Sequence, residues 1–376
     1  MNMSDSWQSI LERWNSAGLI DAPTAESIRR FEASHEKPHQ FRWPILIAIG
    51  FGALMLGAGV LLFVSAHWDE LSPASRFSLV LLLVAGFHVV GAITAQRFSA
   101  FATTMHCLGT VALGAGIFLS GQIFNLQEHW PGGVMLWAIG AWLGWWLRRD
   151  WAQASLVAVL TPAWLAAEWA DATPRFPMAE TAIGQGLLLL AITYFTGVVP
   201  NHRETTRRAL AWIGGIELIP AAAFAVVSRV EQHWWSGSLH LPIHLGLVGF
   251  GLSFLLPLLL ALWLRGKAFS TNLVAAAWVG VVNLIPMGNS ILPYVWCGIA
   301  SLGMIAWGVK ELRRERINLG IVGFGITVMT FYFSNVMDKL DRSASLIGLG
   351  VLFLGMGWAL ERTRRKLVAR VQGVAL

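Results

Sequence analysis

Apolar residues in this chain fall into long blocks rather than alternating with polar ones. From residue 44 onward, runs of roughly 17–25 apolar residues, the length a helix needs to cross a bilayer, are separated by short polar segments. They occupy 44–66, 76–96, 102–124, 131–147, 151–169, 179–199, 208–228, 243–264, 270–287, 291–309, 317–336 and 344–361. No strand-like alternation competes with them. Residues 5–33 follow another pattern: Trp7, Ile10, Leu11 and Trp14 recur at helical spacing, and Ala25, Ile28 and Phe31 recur after a break at Ala17-Gly18-Leu19-Ile20-Asp21. Gly18 ends the first of these helices and Thr24 is the expected start of the second. The pattern predicts an all-α protein, a polytopic membrane helical bundle of about twelve transmembrane helices with a short N-terminal cytoplasmic helical hairpin. The segments are 1–43 (hairpin and linker), 44–361 (bundle) and 362–376 (basic cytoplasmic tail). The hairpin is too small to hold a core of its own, and residues 1–43 lack the basic and apolar leader of a cleavable signal peptide.

Composition narrows the class. Of 376 residues, 56% are hydrophobic and 13% charged, against about 25% charged in soluble domains. Such a chain has too little polar surface for a soluble globule and too little charge for disorder. Cys107 and Cys297 both lie in apolar runs, which excludes a disulfide framework.

Charge then sets orientation. With the N-terminus in the cytoplasm and spans alternating, 22 of the 27 Lys and Arg fall on the inner side, leaving Arg76, Arg175, Arg229, Lys339 and Arg342 outside. That bias is the signature of insertion. It places both termini in the cytoplasm and accounts for the net charge of +6 without a nucleic-acid partner.

The 20 Trp fit the same register. Trp43, Trp145, Trp146, Trp151, Trp212, Trp263, Trp307 and Trp358 fall near inner span ends, and Trp68, Trp130, Trp169, Trp234, Trp235 and Trp296 near outer ends, as anchoring belts do. Gly109, Gly114 and Gly116, with the Gly140/Gly144 pair, let helix backbones approach closely.

Candidate chemistry is sparse. His35-Glu36-Lys37-Pro38-His39 spells H-E-x-x-H, but Pro38 breaks the helix that two zinc-binding histidines at i and i+4 require. No nucleotide loop, nucleophile elbow or metal-spaced cluster appears, so no metal and no cofactor is expected and no catalytic residue is assigned. Intramembrane polar groups carry what remains. Glu217 lies in Trp212-Ile213-Gly214-Gly215-Ile216-Glu217-Leu218-Ile219-Pro220, and Asn283 in Trp278-Val279-Gly280-Val281-Val282-Asn283-Leu284-Ile285-Pro286, 66 residues on. The two read as a parallel repeat that sets a polar side chain beside a proline-loosened backbone at matching positions, as transporter sites do. His88 and His106 each lie nine residues from Arg97, which puts them at similar depth in neighbouring antiparallel helices, as a proton relay or a polar contact. The outer loops carry nine acids, among them Asp69, Glu70, Glu128, Glu168 and Asp171, with His67, His129, His240 and His244 nearby; a solvated rim accounts for most of these.

The run Gly59-Val60-Leu61-Leu62-Phe63-Val64-Ser65-Ala66-His67-Trp68-Asp69-Glu70-Leu71-Ser72-Pro73 resembles the hallmark of a bacterial membrane family, domain of unknown function 2157. Gly18-Leu19-Ile20 and Gly121-Gln122-Ile123-Phe124-Asn125 followed by Trp130-Pro131 resemble it too, over about residues 5–150. The resemblance implies a bacterial inner-membrane protein and assigns no activity. It draws attention to His67, Trp68, Asp69, Glu70, Gln122 and Asn125 as an outer-face motif. Three functions follow as expectations. The first is a transporter or lipid flippase-like protein with Glu217, Asn283, His88 and His106 in its substrate or proton pathway. The second is a structural or assembly factor for an envelope complex, binding a cytoplasmic protein through residues 5–33. The third is an outer-face enzyme on a lipid-linked substrate, using Asp69 and Glu70. Membrane lipid is the expected partner in all of them.

Overall fold

The computed structural model describes residues 11, 13–35, 51, 55, 71–124, 129–173, 177–197, 205–234, 242–285 and 291–335, with isolated positions between 347 and 362. All regular structure among them is helical. Two units divide the chain, Met1–Ser72 and Pro73–Leu376.

In the first unit, residues 13–16 are helical. Gly18 takes φ +68°, the Leu19 amide donates to Trp14 O at 3.0 Å and the Gly18 amide to Asn15 O at 3.1 Å. This is a Schellman ending, in which a left-handed residue that glycine adopts without strain closes the helix. Helix α1 (Ala22–His35) begins ahead of the expected Thr24. The reason is Asp21, whose Oδ1 accepts the Thr24 amide at 3.3 Å, while Pro23 has no amide to satisfy in the first turn. Leu11 and Ala25 are buried, and Trp14, Leu19 and Phe31 are exposed. His35 is the last residue of α1; His39 of the H-E-x-x-H letters and most of the expected first span lie outside the described residues.

The second unit contains α2 (Pro73–Thr94), α3 (Ser99–Ile123), α4 (Trp130–Arg148), α5 (Trp151–Ala172), α6 (Pro177–Thr196), α7 (Thr205–Trp234), α8 (Ile243–Arg265), α9 (Ser270–Val281), α10 (Leu292–Lys310) and α11 (Arg314–Asn335). These are helices at ten of the twelve expected ranges. Six stretches among the described residues are long and apolar enough to cross a membrane: α2, α3, Thr205–Arg229, Ile243–Leu284, α10 and α11. The fourth holds α8, a 3-10 turn (Gly266–Phe269) and α9. Helices α4, α5 and α6 also have spanning length; α5 puts Gln153, and α6 puts Thr181, Gln185, Thr193 and Thr196, in the interior.

Local chemistry explains the turns. Asp150 caps α5 by accepting the Gln153 amide at 2.9 Å, and Pro131 occupies the first turn of α4. Arg149 (φ 52°) ends α4, Gly266 (φ 55°) ends α8, and Leu312 (φ 55°) ends α10. Proline interrupts three helices without breaking them. Pro162 deprives the Ala158 carbonyl of its helical donor, and the Tyr194 hydroxyl of α6 donates to that carbonyl at 3.2 Å, as a membrane interior requires.

Helix α6 lies at the centre and packs on α5, α7, α8 and α9. The core it forms with α7, α9 and α10 contains Leu188, Ala191, Ile192, Ala225, Val279 and Trp296. Gly114 accepts the Trp137 ring, Gly140 the Leu113 side chain, and Gly214 the backbone of α6. Buried positions are dominated by Ala, with Gly and Thr, whereas the outward positions are mostly Leu, Ile, Val and Trp, including Trp212 at 75% and Ile243 at 81% exposure. That is the inverse of a water-soluble core, and such a surface is solvated by acyl chains.

Two belt assignments need correction. Trp296, expected at the outer interface, is buried and stacked on Trp278 at 6.4 Å between ring centroids, because its Nε1 donates to Trp278 O at 3.0 Å. Trp169 likewise packs inward, against Gly249. Trp146, Trp212, Trp263 and Trp130 are exposed at helix ends.

Candidate functional site

Glu217 and Asn283, expected at matching positions of a repeat, are not brought together. Asn283 follows α9, pairs its amide with Gln185 of α6 (Gln185 Nε2 to Asn283 Oδ1 2.8 Å, Asn283 Nδ2 to Gln185 Oε1 3.2 Å), and its carbonyl accepts from Arg229 at 3.0 Å. Arg229 lies twelve residues beyond Glu217 on α7, about 18 Å along a helix, so the two sites lie at different depths. The sequence repeat is not a structural one either. Helix α7 runs straight through Pro220, whereas α9 stops at Val281, tightens into a 3-10 turn and becomes extended at Ile285. Glu217 is partly buried and has no hydrogen-bond or ion-pair partner among the described residues.

His88 and His106 are brought together. Their Nδ1 atoms are 3.0 Å apart, and the ring centroids 5.3 Å. Gln153, fully buried on α5, donates from Nε2 to the His106 carbonyl at 3.1 Å and to Thr110 Oγ1 at 2.9 Å, and Trp137 Nε1 donates to Thr110 O at 2.8 Å. Gln153 was legible in the sequence only as a polar residue in an apolar run.

Of the outer-face motif, Gln122 is exposed near the end of α3; His67, Trp68, Asp69, Glu70 and Asn125 lie outside the described residues. Beside it the structure forms a contact that sequence spacing did not show. His129, just before α4, places Nε2 2.7 Å from Glu168 Oε2 and Nδ1 3.2 Å from Asp171 Oδ2 on α5, while Trp164 Nε1 holds the other Glu168 oxygen at 2.9 Å. The bond to Glu168 and the two negative charges raise the His129 pKa from its ordinary value. A raised folded-state value means that the imidazolium stabilises this end below about pH 6.5, the ordinary histidine value, and that the gain disappears as pH rises through the raised value. The difference in melting temperature between wild type and His129→Gln should therefore be largest in acid and vanish in alkali. Thermal scans across pH check this. No group of three or more metal-ligating side chains is set to hold an ion among the described residues.

At the opposite, arginine-rich end, side chains of α8, α10 and α11 converge on one carboxylate. Glu311 Oε1 accepts from Arg265 at 2.6 Å and from Trp307 Nε1 at 2.5 Å, and Oε2 accepts from Arg316 at 2.5 Å. Arg265 also donates to the Thr196 carbonyl at 2.8 Å, which Arg316 reaches at 3.3 Å. Arg207 bonds the Leu264 carbonyl at the start of α7. Arg265 and Arg316 are 6% and 2% exposed and flank the Trp307 ring at 5.1 and 5.2 Å. In the sequence the arginines register only as positive charges inside, and Trp307 only as a belt residue.

Between α7, α9, α10 and α11 lies a cavity of about 950 Å³. Leu218, Ala222, Trp278, Gly303 and Gly323 line it, Thr271 and Lys310 mark the arginine-rich end, and Thr330 and Asn335 the other. From Leu319 to Asn335 it follows α11 for about 24 Å, most of a bilayer core. Trp278 Nε1 is buried without an acceptor among the described residues.

Helices apolar on their outer surfaces, small and polar residues at their contacts, and polar side chains satisfied by backbone carbonyls define a multi-pass integral membrane bundle. Within this class, residues 12–154 match the family model described as Predicted membrane protein (DUF2157), which agrees with the resemblance carried by the Gly59–Pro73 and Gly121–Asn125 motifs. No curated protein and no solved structure matches the chain.

Proposed function

We propose that the protein is a transporter of the lipid-handling, flippase-like kind, with the α7–α9–α10–α11 cavity as its pathway and Glu217 as its midplane polar group. The cavity supports this reading: it is apolar along its length, carries polar side chains at both ends, and is lined by Leu218, the residue after Glu217, whose carboxyl has no hydrogen-bond or ion-pair partner among the described residues. In the same reading all twelve apolar ranges span a bacterial inner membrane, with both termini and residues 5–33 in the cytoplasm. The tight turns at Arg149, Gly266 and Leu312, all at the arginine-rich end, support that orientation.

The test is native mass spectrometry of protein extracted with its own lipids, paired with translocation of a fluorescent phospholipid in proteoliposomes. Gly303 lines the cavity, and a Cβ there would meet nothing within 4 Å, so the side chain of Gly303→Leu enters the pathway from an open position. The expected results are a retained lipid lost in Gly303→Leu, and translocation slowed at least tenfold in Glu217→Gln with folding intact. Lipid retention equal in wild type and Gly303→Leu overturns the proposal.

The exposed Trp14, Leu19 and Phe31 of the N-terminal unit favour the assembly-factor function as the second reading. A protein that co-purifies with wild type but not with Leu19→Asp/Phe31→Asp, in the absence of bound lipid, would support it.

A further inference from the structure

The two histidines of α2 and α3 stand in matched surroundings. Each opens an H-x-x-G sequence, His88-Val89-Val90-Gly91 and His106-Cys107-Leu108-Gly109, and each ring lies on the other helix's glycine. A Cβ on Gly109 would stand 2.7 Å from His88 Nε2, and one on Gly91 2.8 Å from His106 Nε2. The glycines thus form two seats that hold the imidazoles. The centroid separation of 5.3 Å exceeds the 3.0 Å nitrogen contact by two ring radii, so the Nδ1 atoms face each other head-on along the line between the rings. A metal ion held by both would need the lone pairs to converge to one side; a hydrogen bond needs them collinear.

We propose that His88 and His106 form a binding site for a single proton inside the bundle. A neutral imidazole has one N–H and one bare nitrogen. In the neutral pair one ring donates its Nδ1–H to the other's Nδ1, leaving the donor's Nε2 bare and the acceptor's Nε2 protonated. One added proton binds the bare Nε2 and turns the bridge into a charge-assisted hydrogen bond, which is the stronger kind. A second would have to occupy the accepting Nδ1 and face an N–H across 3.0 Å, which this geometry forbids. When the bridging proton crosses, its bond to one Nδ1 breaks as a bond to the other forms, and the second ring then releases its own Nε2 proton. A proton taken up beside Gly91 can thereby leave beside Gly109. His106 is 8% exposed and its Nε2 has no partner among the described residues, so this nitrogen is vacant for the added proton. The charges that bear on the pair from α4 and the α4–α5 turn are Arg148 and Asp150, bonded to each other at 3.0 Å. Cys107 is the adjacent titratable group on α3. As the coupling site for lipid translocation, the pair rests on the function proposed above; as a proton site it does not.

Nitrogen-15 NMR of histidine-labelled wild type in nanodiscs tests the site directly. A scalar coupling between the two Nδ1 atoms and uptake of one proton per pair are expected. Both should be lost in His106→Gln and in Gly109→Ala, the latter keeping its cooperative melting. Absence of the coupling in wild type, or uptake of two protons, overturns the site. Lipid translocation under an imposed pH gradient tests the coupling: wild type should respond to the gradient and His106→Gln should not. Translocation indifferent to the gradient in both overturns coupling. No translocation in either overturns the lipid pathway and with it the coupling, while the NMR result still decides the proton site.

Discussion

Glu311→Ala destabilises the bundle by about 3–5 kcal/mol, the usual result of removing one partner from a buried charge cluster. The carboxylate lies between Arg265 and Arg316, which are almost fully buried; without it two guanidinium groups share a site with no counter-charge. Their carbonyl bonds to Thr196 and Ala268 hold them in place, so they have no easy exit to water. Glu311→Gln keeps an acceptor for Trp307 but not the charge, and should recover only part of the loss. Arg313→Ala, next to the cluster, is the comparison. Burial pushes the Glu311 pKa up, but the Trp307 indole and the two arginines outweigh it and hold it below the ordinary carboxylate value. A depressed folded-state value means that the stabilisation is complete above the ordinary carboxylate range and is lost as pH falls through the depressed value. Thermal unfolding in detergent should therefore separate wild type from Glu311→Gln at neutral pH and bring them together only in strong acid. Equal stability at neutral pH would refute this account.

Gly214→Ala forces α6 and α7 apart. An added Cβ would stand 2.5 Å from both the Ala191 carbonyl oxygen and the Phe195 amide nitrogen. Both are backbone atoms of one helix, so no rotamer change relieves the overlap, and the helices must separate along a contact that includes Ala221 and Ala225. Overpacking of this kind costs about 1–3 kcal/mol, and here the upper part of that range is expected. Gly251→Ala on α8 is the control, because a Cβ there meets nothing within 4 Å. That change should be neutral or stabilising by up to about 1 kcal/mol from helix propensity. Melting of the two variants side by side decides it, with comparable losses in both counting against the close-contact explanation.

These contacts show which parts of the molecule the sequence could reveal. Apolar block length located ten helices, because in lipid a helix is the one form that satisfies an unbroken run of backbone. The His88–His106 contact was legible because both residues lie nine positions from Arg97, and a hairpin sets equidistant residues side by side. Glu311 with Arg265, Gln153 with Thr110, and Gln185 with Asn283 were not legible, since they join positions 43 to 98 residues apart that share no local period. The W-[IV]-G letters misled for the converse reason. Similar short strings take their conformation from what surrounds them: the first copy stays in α7 through Pro220, whereas the second leaves α9 at Val281, ahead of its own proline.

The turns at the arginine-rich end have a mechanical consequence. Helices α4 and α5 are joined by two residues, and α10 and α11 by three, each junction closed by a left-handed residue. Helices tied so closely cannot slide past one another, so each pair must travel as a rigid hairpin. The guanidinium clasp around Glu311 binds the ends of α6, α8, α10 and α11 at that same level. Any rearrangement that widens the cavity then has its fulcrum there, and the largest excursion falls at the far end, beside Tyr294 and Asn335. Spin labels placed near those two residues would sense the movement, while labels beside Arg313 would stay at a fixed separation.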